Sequence, residues 1–271
     1  MNGKSSGFLT AYHVQSKAST DIVSEDATQP VISPDGNRVM YIKLPGSQRM
    51  EVWVSDIDGG NKLKLASGET LATGRFAPDN FHLSFSDGHK INIVGADGTG
   101  LRQLAQTGAA IDDSVWSPDQ QFIYVTTETG PTLELWKWSV DGSTSDKIVD
   151  NCGVGNTGDP SGHYLLGIIS FGERTGIYMV PLSDRKCVLL LPGVETFAAS
   201  FAPDGKSFLY AVASRGEVTI YRQPWKDGKL TGAPQVGLKL PFVFPLVFYG
   251  NAYDFSRDLS TIVYARPGGS R

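Results

Sequence analysis

The sequence predicts an all-β protein: a six-bladed β-propeller of four-stranded antiparallel blades, its ring closed by N-terminal strands that complete the last blade. Three observations carry this. A turn phrase recurs at intervals in the low forties. A second turn marker follows it in constant register. The two ends of the chain hold complementary halves of one unit.

The phrase reads aromatic or aliphatic, small residue, Pro, Asp, then Gly or a polar residue. Four copies are clear: Ile32-Ser33-Pro34-Asp35-Gly36, Phe76-Ala77-Pro78-Asp79-Asn80, Trp116-Ser117-Pro118-Asp119-Gln120 and Phe201-Ala202-Pro203-Asp204-Gly205. Two are degraded, Gly158-Asp159-Pro160-Ser161-Gly162 and Phe255-Ser256-Arg257-Asp258-Leu259. The Pro positions 34, 78, 118, 160 and 203 are separated by 44, 40, 42 and 43 residues, and the last step, to Arg257, is 54. Pro supplies φ near −65° and Gly a positive φ, so each copy turns the chain between strands.

The first unit shows the content of a blade. One strand ends at Ile32, and Val39 to Lys43, Glu51 to Ile57 and Lys62 to Leu65 follow as the second, third and fourth. Asp58-Gly59 joins the last two as a hairpin, repeated at Asp97-Gly98, Asp141-Gly142 and Asp227-Gly228, with Ser183-Asp184 in the divergent fourth unit. Third strands carry large residues on both faces, Leu135, Trp136 and Trp138 among them, as a blade packed between two neighbours requires. Phe76, Trp116, Phe201 and Phe255 are expected to fill the layers between blades.

After Phe255 the chain has one further strand, Thr261 to Ala265, leaving its blade two strands short. At the other end, Phe8 to Val14 and Thr20 to Ser24 precede the first phrase and fit as third and fourth strands. Pairing them closes the ring and removes sheet edges. The expected organisation is therefore a polar lead-in over 1–7, one propeller over 8–266 and a tail over 267–271.

The Ser/Ala-Pro-Asp-Gly turn followed by a strand and an Asp-Gly hairpin resembles the TolB-type, WD40-like (PD40) propeller family over essentially residues 8–266. The stretch from Tyr221-Arg222-Gln223-Pro224-Trp225 through Ala252-Tyr253-Asp254-Phe255 to Ile262-Val263-Tyr264-Ala265-Arg266-Pro267-Gly268-Gly269 is similar to propellers at the C-terminus of bacterial membrane-bound Ser/Thr kinases and winged-helix transcriptional regulators. That resemblance implies a non-catalytic sensor or protein-binding module of a larger bacterial protein. Two other readings stay open: the gating propeller of a multi-domain serine peptidase, and a TolB-like periplasmic adaptor.

Composition narrows the partners. A net charge of −4 argues against nucleic-acid binding and attraction to anionic lipid. No apolar run approaches the ~20 residues of a spanning helix, so no membrane insertion by this domain is expected. Residues 1–7 lack the apolar region of a secretory signal. The compartment is left open, an extracytoplasmic one fitting a membrane-bound sensor.

Two chemical patterns are set aside for lack of context. Gly3-Lys4-Ser5-Ser6-Gly7 matches a nucleophile elbow without the strand and helix that give it meaning. Gly153-Val154-Gly155-Asn156-Thr157-Gly158 matches a dinucleotide fingerprint but leads into a strand. His13, His82, His89 and His163 lie in different blades, at no metal-binding spacing. Asp35, Asp79, Asp119, Asp204 and Asp258 read as caps of their own turns. No catalytic residue, metal or cofactor is expected.

Binding is expected on the loop face, where fourth-to-first and second-to-third connections emerge: 43–50, 67–74, 106–113, 127–132, 151–157, 171–175, 192–197 and 214–217. Candidate contacts for a protein or small ligand there are Arg49, Arg75, Asp112, Asp113, Arg174, Glu195 and Arg215. The apolar insertion over 231–250 adds Phe242 and Phe244. Part of it must be the fourth strand of blade five, and the rest either plugs the fold or offers an interface. Cys152 follows a fourth strand on the loop face and Cys187 opens the next fourth strand near the opposite face. Two free thiols are therefore expected.

Overall fold

The structure, a computed structural model, describes residues 7–46, 49–130, 132–152, 157–169, 172–196, 198–214, 217–240 and 253–267. The chain opens with the hairpin β1 (Gly7–His13) and β2 (Ala18–Val23). Blade one is β3 (Ala27–Ile32), β4 (Arg38–Lys43), β5 (Met50–Asp56) and β6 (Leu63–Gly68). Blade two is β7 (Leu71–Phe76), β8 (His82–Asp87), β9 (Lys90–Gly95) and β10 (Arg102–Gln106). Blade three is β11 (Ala110–Trp116), β12 (Phe122–Thr129), β13 (Thr132–Ser139) and β14 (Ser145–Asp150). Blade four is β15 (Thr157–Gly158), β16 (Tyr164–Ile169), β17 (Gly176–Pro181) and β18 (Val188–Pro192), with a single 3-10 turn at Gly172–Arg174.

Blade five holds β19 (Ala199–Phe201), β20 (Ser207–Ser214) and the long β21 (Glu217–Lys226). Beside β21 lie the short β22 (Lys229–Leu230) and β23 (Gln235–Leu240). The expected fourth strand within 231–250 is thus β23. Blade six joins the two ends of the chain in the order β2-β1-β25-β24, with β24 (Tyr253–Phe255) and β25 (Thr261–Pro267). β1 lies antiparallel to β25 from Gly7 opposite Pro267 to His13 opposite Thr261. The N-terminal strands are its third and fourth, as the sequence predicts.

The chain forms two compact units. One comprises 1–88, 92–102 and 244–271, the other 89–91 and 103–243. In the first, Leu9, Ala11, Val263 and Ala265 of blade six pack with Ile32, Val39 and Tyr41 of blade one. In the second, Val115, Tyr124 and Leu135 of blade three pack with Leu165, Tyr178 and Val180 of blade four. Burial of these aliphatic and aromatic faces supplies the main driving force for stacking the sheets.

The turn phrase acts as the sequence suggests. The Ser33 hydroxyl donates to Asp35 at 2.6 Å, while Asp35 accepts the Asn37 amide at 3.1 Å and Ser33 Oγ accepts the Arg38 amide at 2.9 Å. Asp79, Asp119, Asp204 and Asp258 each accept the amide two residues on. The fifth position of all six copies has a positive φ: Gly36, Asn80, Gln120, Gly162, Gly205 and Leu259.

The cysteines correct the expectation of free thiols. Cys152 and Cys187 form a disulfide, their Cα atoms 5.7 Å apart. β14 ends before the loop face, with Asp150 opposite Glu134 and the Asn151 amide donating to the Leu133 carbonyl at 2.6 Å. Asn151 then takes a φ of 58°, and Cys152 is fully buried among Leu165, Tyr178 and Val180. Cys187 precedes Val188, which lies opposite Met179 in mid-strand. Both cysteines therefore meet at mid-height of the blade pair.

Candidate functional site

In the second unit a cleft of about 370 Å³ is lined by Gln106–Ala109, Thr127, Thr129, Glu134, Trp136, Trp138 and Ser145. Alternation along β13 builds its wall. Leu135 points into the core shared with blade four, so Glu134, Trp136 and Trp138 share the other face. Cross-strand register sets their neighbours: Thr127 opposite Glu134 on β12, and Lys147 opposite Trp136 and Ser145 opposite Trp138 on β14. The roof is held by Thr107, whose hydroxyl donates to the Ala109 carbonyl at 2.5 Å and whose amide donates to the His89 carbonyl at 2.8 Å.

Glu134 is fixed from two sides. Trp136 Nε1 donates to it at 3.1 Å and Lys147 Nζ at 3.4 Å. Lys147 also pairs with Asp150 at 2.9 Å; Asp150 and Glu134 hold its ammonium above the usual lysine range. Two polar atoms of the lining, Thr127 Oγ1 and Trp138 Nε1, are buried without a hydrogen-bond partner among the described residues. Buried polar groups are normally paired, so these two stand out in the lining. On β11, Asp112 is exposed in its strand, yet desolvation by the neighbouring protein holds its carboxyl above the ordinary range, and the charge of Glu128 adds to the rise.

The fold and the repeat find their match in a family model, that of the TolB beta propeller domain, which covers residues 17–223. The chain belongs to the TolB β-propeller family. Along 122 residues it is 30% identical to an uncharacterized peptidase, YuxL, of Bacillus subtilis, a stretch that is 41% of this chain and 18% of that protein. The chain thus spans under a fifth of the length of that relative. A TolB structure from Agrobacterium tumefaciens matches with a TM-score of 0.67 at 14% identity, over 98% of this chain and 99% of that one. The β-propeller domain of the Trilobed protease from Pyrococcus furiosus, described as having an open velcro topology, matches with a TM-score of 0.57 at 16% identity, over 87% and 84%. At these identities the structural likeness establishes the six-bladed propeller fold.

Within this TolB-type propeller the described residues expected to bind belong to several different blades. Arg49 is exposed just ahead of β5 and Glu195 is exposed between β18 and β19. Asp112 sits at a register shift between Ile111 and Asp113, and Asp113 accepts the Ser114 amide at 2.6 Å. Arg174 closes the 3-10 turn, donating to the Asn151 carbonyl, while its own carbonyl accepts the Tyr178 hydroxyl at 2.6 Å. Arg75 is half-buried on β7, donating to the Gly74 carbonyl at 3.0 Å. Its charge acts on Asp254 of β24, whose carboxylate accepts the Ile32 amide at 2.8 Å. Arg215, Phe242 and Phe244 lie outside the described residues.

Sequence reasoning named the connections 106–113 and 127–132 but missed the cleft beneath them. Trp136 and Trp138 read as blade packing, which is what large residues in third strands usually do. The available signal was the polar company on that face: Glu134 two residues before Trp136, and threonines rather than aliphatics at 127 and 129.

Proposed function

We propose that this chain is a non-catalytic binding module of a larger bacterial signalling or regulatory protein, recognising a protein or small ligand through its loop face. The observation that carries this reading is the blade-three cleft, whose roof and mouth are two of the loop-face connections. Its lining pairs aromatic surface with a few placed polar groups, the usual make-up of a recognition site. Glu134 is held in place by Trp136 Nε1 and Lys147 Nζ. An extracytoplasmic location belongs to the proposal, supported by the buried Cys152–Cys187 disulfide, since such bonds persist in oxidising compartments.

The match to YuxL favours one second reading, a propeller that controls access to a peptidase domain. It requires a hydrolase domain in the same reading frame, and a kinase or DNA-binding domain there would exclude it.

Gly108 provides the test. A side chain built there meets nothing within 4 Å, so Gly108→Trp fills the mouth of the cleft without disturbing the core. Thermal-shift panels of peptides and small metabolites are expected to raise the melting temperature of the wild type and of Gln121→Trp, which alters a Pro-Asp turn, but not of Gly108→Trp. Equal responses in all three proteins, or none in the wild type, would sink the reading. Turnover of a peptide substrate by this chain would overturn its non-catalytic part.

A further inference from the structure

We infer that the blade-three cleft takes an alkylammonium group, the side chain of a lysine presented by a peptide. This rests on the binding role proposed above, and the first blade of the same chain shows the chemistry already assembled.

Blades one and three carry the same framework in the same register. In blade one, Trp53 Nε1 donates to Glu51 at 2.8 Å and Lys64 Nζ donates to Glu51 at 3.2 Å. In blade three, Trp136 Nε1 and Lys147 Nζ donate to Glu134 in the same way. Trp53 lies opposite Lys64, and Trp136 opposite Lys147. Two cross-strand partners of the glutamate differ: from the fourth strand it faces Ser67 in blade one and Asp150 in blade three. The residue facing the glutamate from the second strand is Lys43 in blade one and Thr127 in blade three.

That difference decides what fills the space beside the tryptophan. Lys43 Nζ stands 4.8 Å from the centroid of the Trp53 ring and is ion-paired with Glu25. Its charge also helps to hold the Glu51 carboxyl below the usual range. Thr127 is too short to do this. Its hydroxyl is buried, the residue being 1% exposed, and has no partner among the described residues; the cleft opens beside it. Blade three therefore keeps the aromatic ring and the carboxylate while lacking the second ammonium that Lys43 supplies in blade one.

Lys147 does not fill the vacancy. It corresponds to Lys64, which coexists with Lys43 in blade one, and its Nζ lies over the Trp136 ring at 6.0 Å, the outer limit of a cation–π contact, against 4.8 Å for Lys43 over Trp53. Asp150, 2.9 Å from Lys147 Nζ, offsets the charge of that ammonium. A cation over the ring face is attracted by the aromatic quadrupole, and an ammonium has three donors for an acceptor such as Glu134. The group that fills this place in blade one, Lys43, is a lysine carried by a polypeptide, which favours lysine in a peptide over a free diamine.

The test titrates the whole chain with Nα-acetyl-lysine methylamide, its norleucine analogue and putrescine, following tryptophan emission. The lysine compound is expected to bind saturably, at least tenfold more tightly than the norleucine analogue and more tightly than putrescine. Thr127→Lys installs the blade-one residue and is expected to fold with an unchanged circular dichroism spectrum while losing binding at least tenfold. Trp136→Leu is expected to lose it similarly. Equal binding of lysine and norleucine compounds, or undiminished binding by Thr127→Lys, overturns the ammonium assignment. If the norleucine compound binds and Gly108→Trp abolishes that binding, the cleft remains a recognition site and only the assignment falls. If no probe binds in a way that Gly108→Trp removes, both fall. Tighter binding of putrescine moves the source from a peptide to a free amine and overturns the peptide part.

Discussion

The Ser161 hydroxyl donates to the Asp159 carboxylate, the reverse of the order at Ser33–Asp35, Ser117–Asp119 and Ser256–Asp258. In blade one Ser33 precedes Asp35, whereas in blade four Asp159 precedes Ser161. The backbone bonds survive the exchange. Asp159 accepts the amides of Ser161 at 3.0 Å, His163 at 2.8 Å and Tyr164 at 2.7 Å. The last two correspond to the Asn37 and Arg38 amides of blade one. A copy that looks degraded is thus a permutation of the same hydrogen-bond set.

The first prediction follows from that equivalence. Asp159 is buried, so Asp159→Ala strands several donors and is expected to cost about 2–3 kcal/mol. Asp159→Ser combined with Ser161→Asp restores the blade-one order and is expected to recover most of the loss. Urea unfolding of the three proteins checks this. A double variant no better than Asp159→Ala would show that the two turns are not interchangeable.

Leu259 carries the second. It occupies the fifth position of the sixth turn at φ 61°, a conformation in which a Cβ crowds the backbone. Glycine holds this position in three other copies. Leu259→Gly is expected to stabilise the fold by about 1 kcal/mol, relief of strain exceeding the entropy that glycine adds to the unfolded chain. A fall in the urea midpoint would mean that packing by the leucine side chain outweighs the backbone term.

The disulfide supports a third. It closes a separation of 35 residues, for which loop-closure entropy gives about 3–4 kcal/mol at 25 °C. Unfolded but unreduced protein is expected to show no titratable thiol, and reduced protein two. Cys187→Ser is expected to lower stability by an amount of that order. Free thiols in protein purified from an oxidising compartment would refute the bond.

These sites also mark what was legible in the sequence. Blade number and the pairing of the chain ends were readable because turn chemistry is local: Pro, Asp and Gly act on residues two to five positions away. The disulfide was hidden because it depends on where β14 stops and on the inward turn at Asn151, neither of which a strand pattern reveals. The cleft was hidden for a related reason. Trp136 has a counterpart in Trp53, and the cross-strand partner of the adjoining glutamate, Thr127 against Lys43, sets the two blades apart. That partner is known once register is known.

Asp254 yields the last prediction. Enclosure by the protein holds its carboxyl above the ordinary range, against the opposing pull of Arg75, the Ile32 and Phe255 amides and Arg257. A carboxyl with a raised folded pKa binds its proton more tightly folded than unfolded. Its contribution is therefore fully present below the ordinary carboxyl range and is lost as pH rises through the raised folded value. The turn carboxylates work oppositely, Asp35 and Asp119 being held below the usual range by hydrogen bonds. The informative quantity is thus variant minus wild type. Asp254→Asn keeps an oxygen for the Ile32 amide and removes the buried ionisation. It is expected to be more stable than wild type at neutral pH, with the advantage shrinking towards about pH 4. Urea midpoints measured across that span check the sign. A constant difference would show that the carboxyl does not titrate there, and a loss of stability at neutral pH would show that its charge is needed by Arg75 and Arg257.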